Sequence, residues 1–273
     1  MSRAKQRAGG FITALWQHRN LWLRLTKREI QSRYQGSALG MAWTVINPLI
    51  MLAVYTFVFA TIFKARWGTG TGSSEAEFAL NLFAGLITFN LFSECITRSP
   101  LLIVNNPSYV TKLIFPVEIM PAICLGASVF HASCSLIVLE SFQLLFKGAL
   151  PLTSLWLPIV WLPLVCFTLA ASWILAALGV YLRDLDQSIG SLVSILMFMS
   201  AVFYPLKAIP DKWQSLLALN PLVGMIDQTR KILIQGHPPA GFSLALQTTI
   251  AIVVCEMSFR LFQRARRGFA DVL

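Results

Sequence analysis

The chain has 273 residues, of which 56% are hydrophobic and only 12% charged. Soluble globular domains carry about 25% charged residues, so this sequence lacks the polar surface to face water on every side, and lipid must be part of its solvent. Each helical crossing of a bilayer needs about 20 apolar residues; six crossings would use about half of the chain and exclude a separate soluble catalytic domain.

Of 22 Lys and Arg, eight precede residue 35 and four follow residue 259. Basic flanks of membrane segments stay in the cytoplasm, which predicts that both termini lie inside. The first 40 residues are basic and their apolar positions are interrupted, so no cleavable signal peptide is expected and the first span doubles as the insertion signal. Residues 11–33 place Leu15, Trp16, Leu21, Trp22, Leu23, Leu25 and Ile30 on one helical arc, opposite Asn20, Arg24, Lys27, Arg28 and Gln31. Arg19 and Glu29 break the division. A helix with tryptophans on one face and basic residues on the other belongs in the headgroup plane; the competing reading is an ordinary solvated helix.

Residues 41–63 are free of charge and form the first span. A glycine-rich outer loop, 64–77, leads to the second span at 78–97, which carries Glu94 near its inner end. Residues 98–118 return to the cytoplasm, 119–139 cross again, and 140–151 make an outer turn. The charge-free run from 152 to 182 contains Pro158 and Pro163, which predict a broken or kinked start and a crossing at 157–182. Arg183, Asp184 and Asp186 mark a cytoplasmic turn before a fifth span at 187–206. Residues 207–235 are too charged to cross yet too apolar for a plain loop, and re-entrant or interfacial helices fit them. The sixth span is 240–259. The expected fold is therefore all-α integral membrane in one domain. On this topology 15 basic residues lie inside and seven outside.

No catalytic constellation is evident. His131 and Cys134 stand one turn apart but lack a third ligand nearby, and no phosphate-binding Walker loop occurs. No metal site, no cofactor and no nucleic-acid partner are expected. Glu94, Glu118, Glu140 and Glu256 fall near span ends and read as interfacial residues rather than an ion relay. Cys95, Cys124, Cys134, Cys166 and Cys255 read as packing residues. Tyr55 and Phe59 in the first span, and Phe89 and Phe92 in the second, form aromatic stripes. Such a face suits sliding sugar rings, and it equally suits helix packing.

Lys27-Arg28-Glu29-Ile30, Arg33-Tyr34-Gln35-Gly36-Ser37, Leu39-Gly40, Trp43 and Asn47-Pro48 together resemble the start of polysaccharide-exporting ABC transporter permeases of type 2. The resemblance continues through 78–85, through Asn106-Pro107, Tyr109, Lys112 and Phe115-Pro116, through Tyr181 to Asp184, and into Phe203-Tyr204-Pro205 and Asn220-Pro221. The blend of motifs is closest to the O-antigen branch. Membership implies a homodimer bound to two copies of a separate ABC ATPase, which would hold the ATP and Mg. It also implies export of undecaprenyl-linked polysaccharide across the bacterial inner membrane, from cytoplasm to periplasm. By position, Asn105, Asn106, Pro107, Tyr109, Lys112, Phe115 and Pro116 correspond to the family's coupling helix at 105–116. Arg24, Lys27, Arg28 and Arg33 belong to its interface helix, and Tyr204, Pro205, Asn220 and Pro221 to its periplasmic gate at 207–235. A capsule or teichoic-acid permease, or a small-molecule exporter of the same type, is the alternative. A membrane-embedded glycan-lipid transferase is more distant, because Asp184 and Asp186 are the only Asp pair on the inside.

Overall fold

A computed structural model describes residues 10–62, 67, 75–111, 115–206 and 209–272. Among these residues every regular element is helical. In hydrocarbon the backbone must satisfy its own hydrogen bonds, and a helix does so within one segment. Serine and threonine hydroxyls follow the same rule by donating four residues back, as Thr88 does to Ala84 and Ser128 to Cys124.

Two helices, α1 (Phe11–Gln17) and α2 (Arg19–Tyr34), occupy the region predicted as one amphipathic helix and meet at His18. Helix α3 (Trp43–Tyr55) continues as a π turn through Thr56–Ile62. It is followed by α4 (Glu75–Arg98), the short α5 (Leu101–Val104) and α6 (Pro107–Thr111), and α7 (Met120–Lys147). The rest comprises α8 (Leu157–Tyr181), α9 (Leu185–Met199), α10 (Asp211–Ala218), α11 (Pro221–Arg230), α12 (Gly241–Ala265) and α13 (Phe269–Val272). Among the described residues, five stretches are long and apolar enough to cross a membrane: Gly40–Phe59, Ala76–Arg98, Val117–Lys147, Leu152–Tyr181 and Gly241–Val272.

Two boundaries differ from the sequence expectation, the ends of α7 and α9, while α8 starts at the expected residue 157. Helix α7 runs past Glu140 to Lys147, so the turn expected from residue 140 is its last two turns; it stops where Gly148 takes φ +70°, a left-handed conformation that glycine adopts without a Cβ penalty. Proline 163 lies inside α8 and Pro158 in its first turn, so the break falls before residue 157. Helix α9 ends at Met199 rather than 206 and has 15 residues. That is about 22 Å at ~1.5 Å per residue, short of a ~30 Å core.

Helix α4 is the axis of the bundle. Of its most apolar window 83% is buried, against 6% for the α3 stretch. The bundle is thus built around α4, with α7, α8 and α11 against it, while α3 leaves an apolar face uncovered. Helices α8 and α12 pack along one another, and Trp173 fills their junction with its ring 5.0 Å from Phe259 and 6.2 Å from Phe11. At the inner end of α8, Gly179 lies directly on the Pro100 carbonyl, a contact that any Cβ would block.

Candidate functional site: the cytoplasmic edge and the outer gate

Proline 100 and Pro107 partition the inner loop. Ser99 donates back to Cys95, α5 adds one turn, and the Asn106 amide donates to the Leu102 carbonyl at 3.0 Å. Proline 107 then opens α6, a position where its missing N–H costs nothing. Tyr109 stacks on Phe115 with centroids 4.4 Å apart and planes 17° apart, so the two ends of the segment close on each other. Asn105 is exposed, Pro116 leads into the turn before α7, and Lys112 lies outside the described residues.

Three elements grip this segment. From α2, Arg28 donates to the Tyr109 hydroxyl at 3.3 Å. From the chain's end, Arg266 pairs with Glu118 at 2.6 Å and reaches the Phe115 carbonyl at 3.4 Å. The Trp173 indole donates to the Glu118 carbonyl at 3.0 Å. Behind Arg266, Tyr181 donates to the Ala265 carbonyl at 2.9 Å and Phe269 is buried against Phe262, which folds α13 back toward α6. The tail was read in the sequence only as a topology signal. Its role as a clamp could have been suspected from the pairing of a buried Glu118 with some cation.

Helix α2 is anchored along one stripe of its wheel, through Trp22, Thr26, Glu29 and Arg33. Trp22 donates to the Ala122 carbonyl at 2.8 Å, and Thr26 sits against Gly126 of α7. Glu29, the residue that spoiled the amphipathic division, pairs with Arg98, while Arg33 pairs with Glu94. His131 Nδ1 lies 3.0 Å from Glu94 and not against Cys134. Burial raises the Tyr34 phenol above its ordinary value. Arg28 and Arg33 are thus used within the chain, whereas Arg24 and Lys27 are exposed and have no partner among the described residues. Three of the four glutamates read as interfacial are ion-paired: Glu94, Glu118 and Glu256, the last with Arg260 and the Phe11 amide.

The segment expected to form the outer gate centres on a residue that the sequence reading did not single out. Arg230, at the end of α11, is only 3% exposed. It donates to the carbonyls of Asn81 at 2.8 Å, Ala201 at 2.8 Å and Val202 at 2.5 Å. Trp67 covers it at 4.4 Å, and the absence of a side chain at Gly85 makes room for it. Burial pushes its guanidinium down to about 9, which leaves it charged at neutral pH. Around it, Asn220 caps α11 by accepting from the Leu222 amide and donates to Met199 O and Ser200 Oγ at 3.3 and 3.0 Å. Pro221 supplies the first helical position. Tyr204, followed by Pro205, donates to the Phe198 carbonyl at 2.7 Å. These side chains take up carbonyls that α9 would otherwise leave open at its end. That is why α9 stops at Met199, and why Ala201 can hold a φ of +52°.

The candidate channel aromatics divide. Phe59 stacks between Phe78 and Phe203 at 5.8 and 6.0 Å, with Tyr55 at 6.4 Å and Phe198 beyond Phe203. This row joins the outer ends of α3 and α9 and is partly exposed. Phe89 and Phe92 are 1% and 4% exposed, and Phe92 stacks on Phe167 of α8. Those two belong to the core of the bundle.

The description "ABC-2 type transporter" is that of the family profile matching residues 20–234. Over 266 residues the chain is 27% identical to the O-antigen export system permease protein RfbA of Myxococcus xanthus, covering 95% of this chain and 98% of the relative. The protein of the same name from Klebsiella pneumoniae is 24% identical, with 91% and 93% covered. The polysialic acid transport protein KpsM of Escherichia coli is 22% identical, with 86% and 90% covered. The family match, which spans most of an all-helical chain with membrane-length stretches, shows that this chain belongs to the ABC-2 type transporter family.

Proposed function

We propose that the chain is the channel-forming permease of an ATP-driven exporter that moves undecaprenyl-linked polysaccharide, of the O-antigen class, from cytoplasm to periplasm. In this reading it sits in the bacterial inner membrane with both ends inside, and α9 makes a sixth crossing whose outer end is finished by the gate segment. Two copies face each other through the exposed α3 and α9, and two ATPase subunits dock beneath them. The observation that carries it is the 105–116 segment, held at once by Arg28 of α2 and by Arg266 of the C-terminal tail, with Trp173 of α8 fixing the Glu118 carbonyl just beyond it. A lever so fixed transmits a push from below into the helices that hold it. The exposed Arg24 and Lys27 supply a second docking face. The relatives' names support a polysaccharide cargo, and the higher identities favour O-antigen over a capsular chain.

The test is reconstitution of the permease with its ATPase and measurement of glycan-stimulated ATP hydrolysis and glycan translocation. A wild-type complex that moves no lipid-linked glycan of any class would sink the reading.

A further inference from the structure

A cavity of about 690 Å³ opens between α3, α4, α7 and the end of α2, within the ~300–1,000 Å³ range of ligand pockets. It belongs neither to the coupling segment nor to the gate. Its walls are helix faces at helical spacing: 44, 47, 48 and 51 on α3; 83, 87, 90, 94 and 98 on α4; 128, 131 and 135 on α7.

The lining is graded. At the cytoplasmic mouth stand Glu29, Arg33 and Arg98; midway stand Asn47, Asn90 and Ser93; at the far end are Met51, Phe83 and Ile87. From Arg98 to Asn90 is about 12 Å along α4 at ~1.5 Å per residue, so the amides lie inside the hydrocarbon depth. Asn90 is the exposed position in a run of α4 otherwise buried from 78 to 92, and Asn47 is exposed on α3 opposite. Neither amide has a hydrogen-bond partner among the described residues. Two unsatisfied amides at that depth are costly unless something polar occupies the space.

The charges add a second indication. Arg33 is engaged through Nη1 alone and Arg98 through Nη2 alone. Each guanidinium has five donors in a planar fork, so both keep a free edge in this cavity. Glu94 and Glu29 orient the forks and balance their charge. An anion held here would rest on directed hydrogen bonds without a net positive field, which favours release over trapping.

Resting on the polysaccharide-export reading, we propose that this cavity is the cytoplasmic-leaflet docking subsite for the diphosphate junction of a lipid-linked saccharide. The phosphates meet the free edges of Arg33 and Arg98, Asn47 and Asn90 take further oxygens, and the start of the lipid chain lies against Met51, Phe83 and Ile87. Headgroup, linkage and tail thus match the grade of the walls.

The test uses full-length permease in nanodiscs, with farnesyl diphosphate as probe and inorganic diphosphate and phosphatidylglycerol as competitors. Farnesyl diphosphate is expected to bind at least about tenfold tighter than inorganic diphosphate and to resist displacement by phosphatidylglycerol. Arg33→Lys keeps the charge beside Glu94 but loses the fork, and should weaken binding about tenfold, as expected for a charge-assisted hydrogen bond. Asn90→Leu places an apolar group in hydrocarbon, so it should fold at least as well as wild type and still weaken binding several-fold.

Equal binding of inorganic diphosphate would mean an anion site only, and equal competition by phosphatidylglycerol a general lipid groove. Wild-type affinity in both variants would mean a water-filled vestibule. Any of these overturns the subsite. Glycan translocation by the wild-type complex, measured alongside, separates the two claims. If translocation is robust and variant binding unchanged, only the subsite falls; if wild type moves no glycan, the export reading falls.

Discussion

Replacing Arg230 by methionine tests the proposed outer gate most directly. The change removes three donated hydrogen bonds. The Asn81 carbonyl lies within α4 and keeps its helical partner, so the orphans are Ala201 O and Val202 O. An unsatisfied buried acceptor costs about 1–3 kcal/mol, which gives about 2–6 kcal/mol for two. Relief from burying a guanidinium without a carboxylate in contact returns part of this, leaving a net loss of about 2–4 kcal/mol. At ~2–4 °C per kcal/mol for a chain of this size, the melting temperature in detergent should fall by about 5–15 °C. Arg230→Lys retains charge but cannot span carbonyls on two elements, and should melt between the two. Gly85→Ala supplies the control, because its methyl would collide with the guanidinium pinned by those bonds. It should destabilise the wild type and cost markedly less in the Arg230→Met background, a coupling that a double-mutant cycle reads. A melting temperature within a degree of wild type for Arg230→Met, or additive behaviour with Gly85→Ala, would refute the assignment of Arg230 as the pin.

Tyr109→Ala removes the stack on Phe115, a contact of the kind that contributes about 0.5–1.5 kcal/mol beyond area burial; the ratio of glycan-stimulated to basal ATP hydrolysis should fall, and an unchanged ratio would remove 105–116 from the coupling path. Glu118→Gln loses its ion pair with Arg266. The carboxylate is buried but Arg266 is about a quarter exposed, so a cost of about 1–2 kcal/mol is expected, read as faster amide exchange or proteolysis across 266–272. Gly179→Ala forces α8 off the Pro100 carbonyl. Overpacking of this kind costs about 1–3 kcal/mol, and the variant should lose monodisperse yield, whereas Gly190→Ala, with nothing near it, should not.

The spans were legible wherever hydrocarbon imposes a length of uninterrupted apolar chain. The runs through 41–59, 78–97, 157–181 and 241–259 all appear in the helices. Charge near a membrane end misled, because a helix carries one Glu140 without breaking; the true stop was Gly148. The early end of α9 was not legible. Its cause lies 20 to 30 residues away, in Asn220 and Arg230, and no local pattern records it. Phe89 and Phe92 show the same limit from another side: an i, i+3 aromatic pair reveals a face, but only Phe167 on α8 decides that the face is core. Glu29 is the opposite case, where a misfit on the wheel was the mark of a partner outside the helix.

These contacts also explain why the two functional ends need not be adjacent. Helix α4 carries Glu94 and Arg98 at one end, joined to α2, and Asn81 and Gly85 at the other, joined to Arg230. Their outermost members, Asn81 and Arg98, are 17 residues apart in the sequence, about 26 Å along the axis at ~1.5 Å per residue. Because α4 is the most buried span, its core contacts resist bending and it moves as a rod. An axial shift of that rod strains the ion pairs to α2 at one end or the carbonyl contacts of Arg230 at the other. Within the proposed cycle, a push on 105–116 therefore reaches the turn at Ala201 and Val202 through one helix, and it does so past the cavity lined by Asn90.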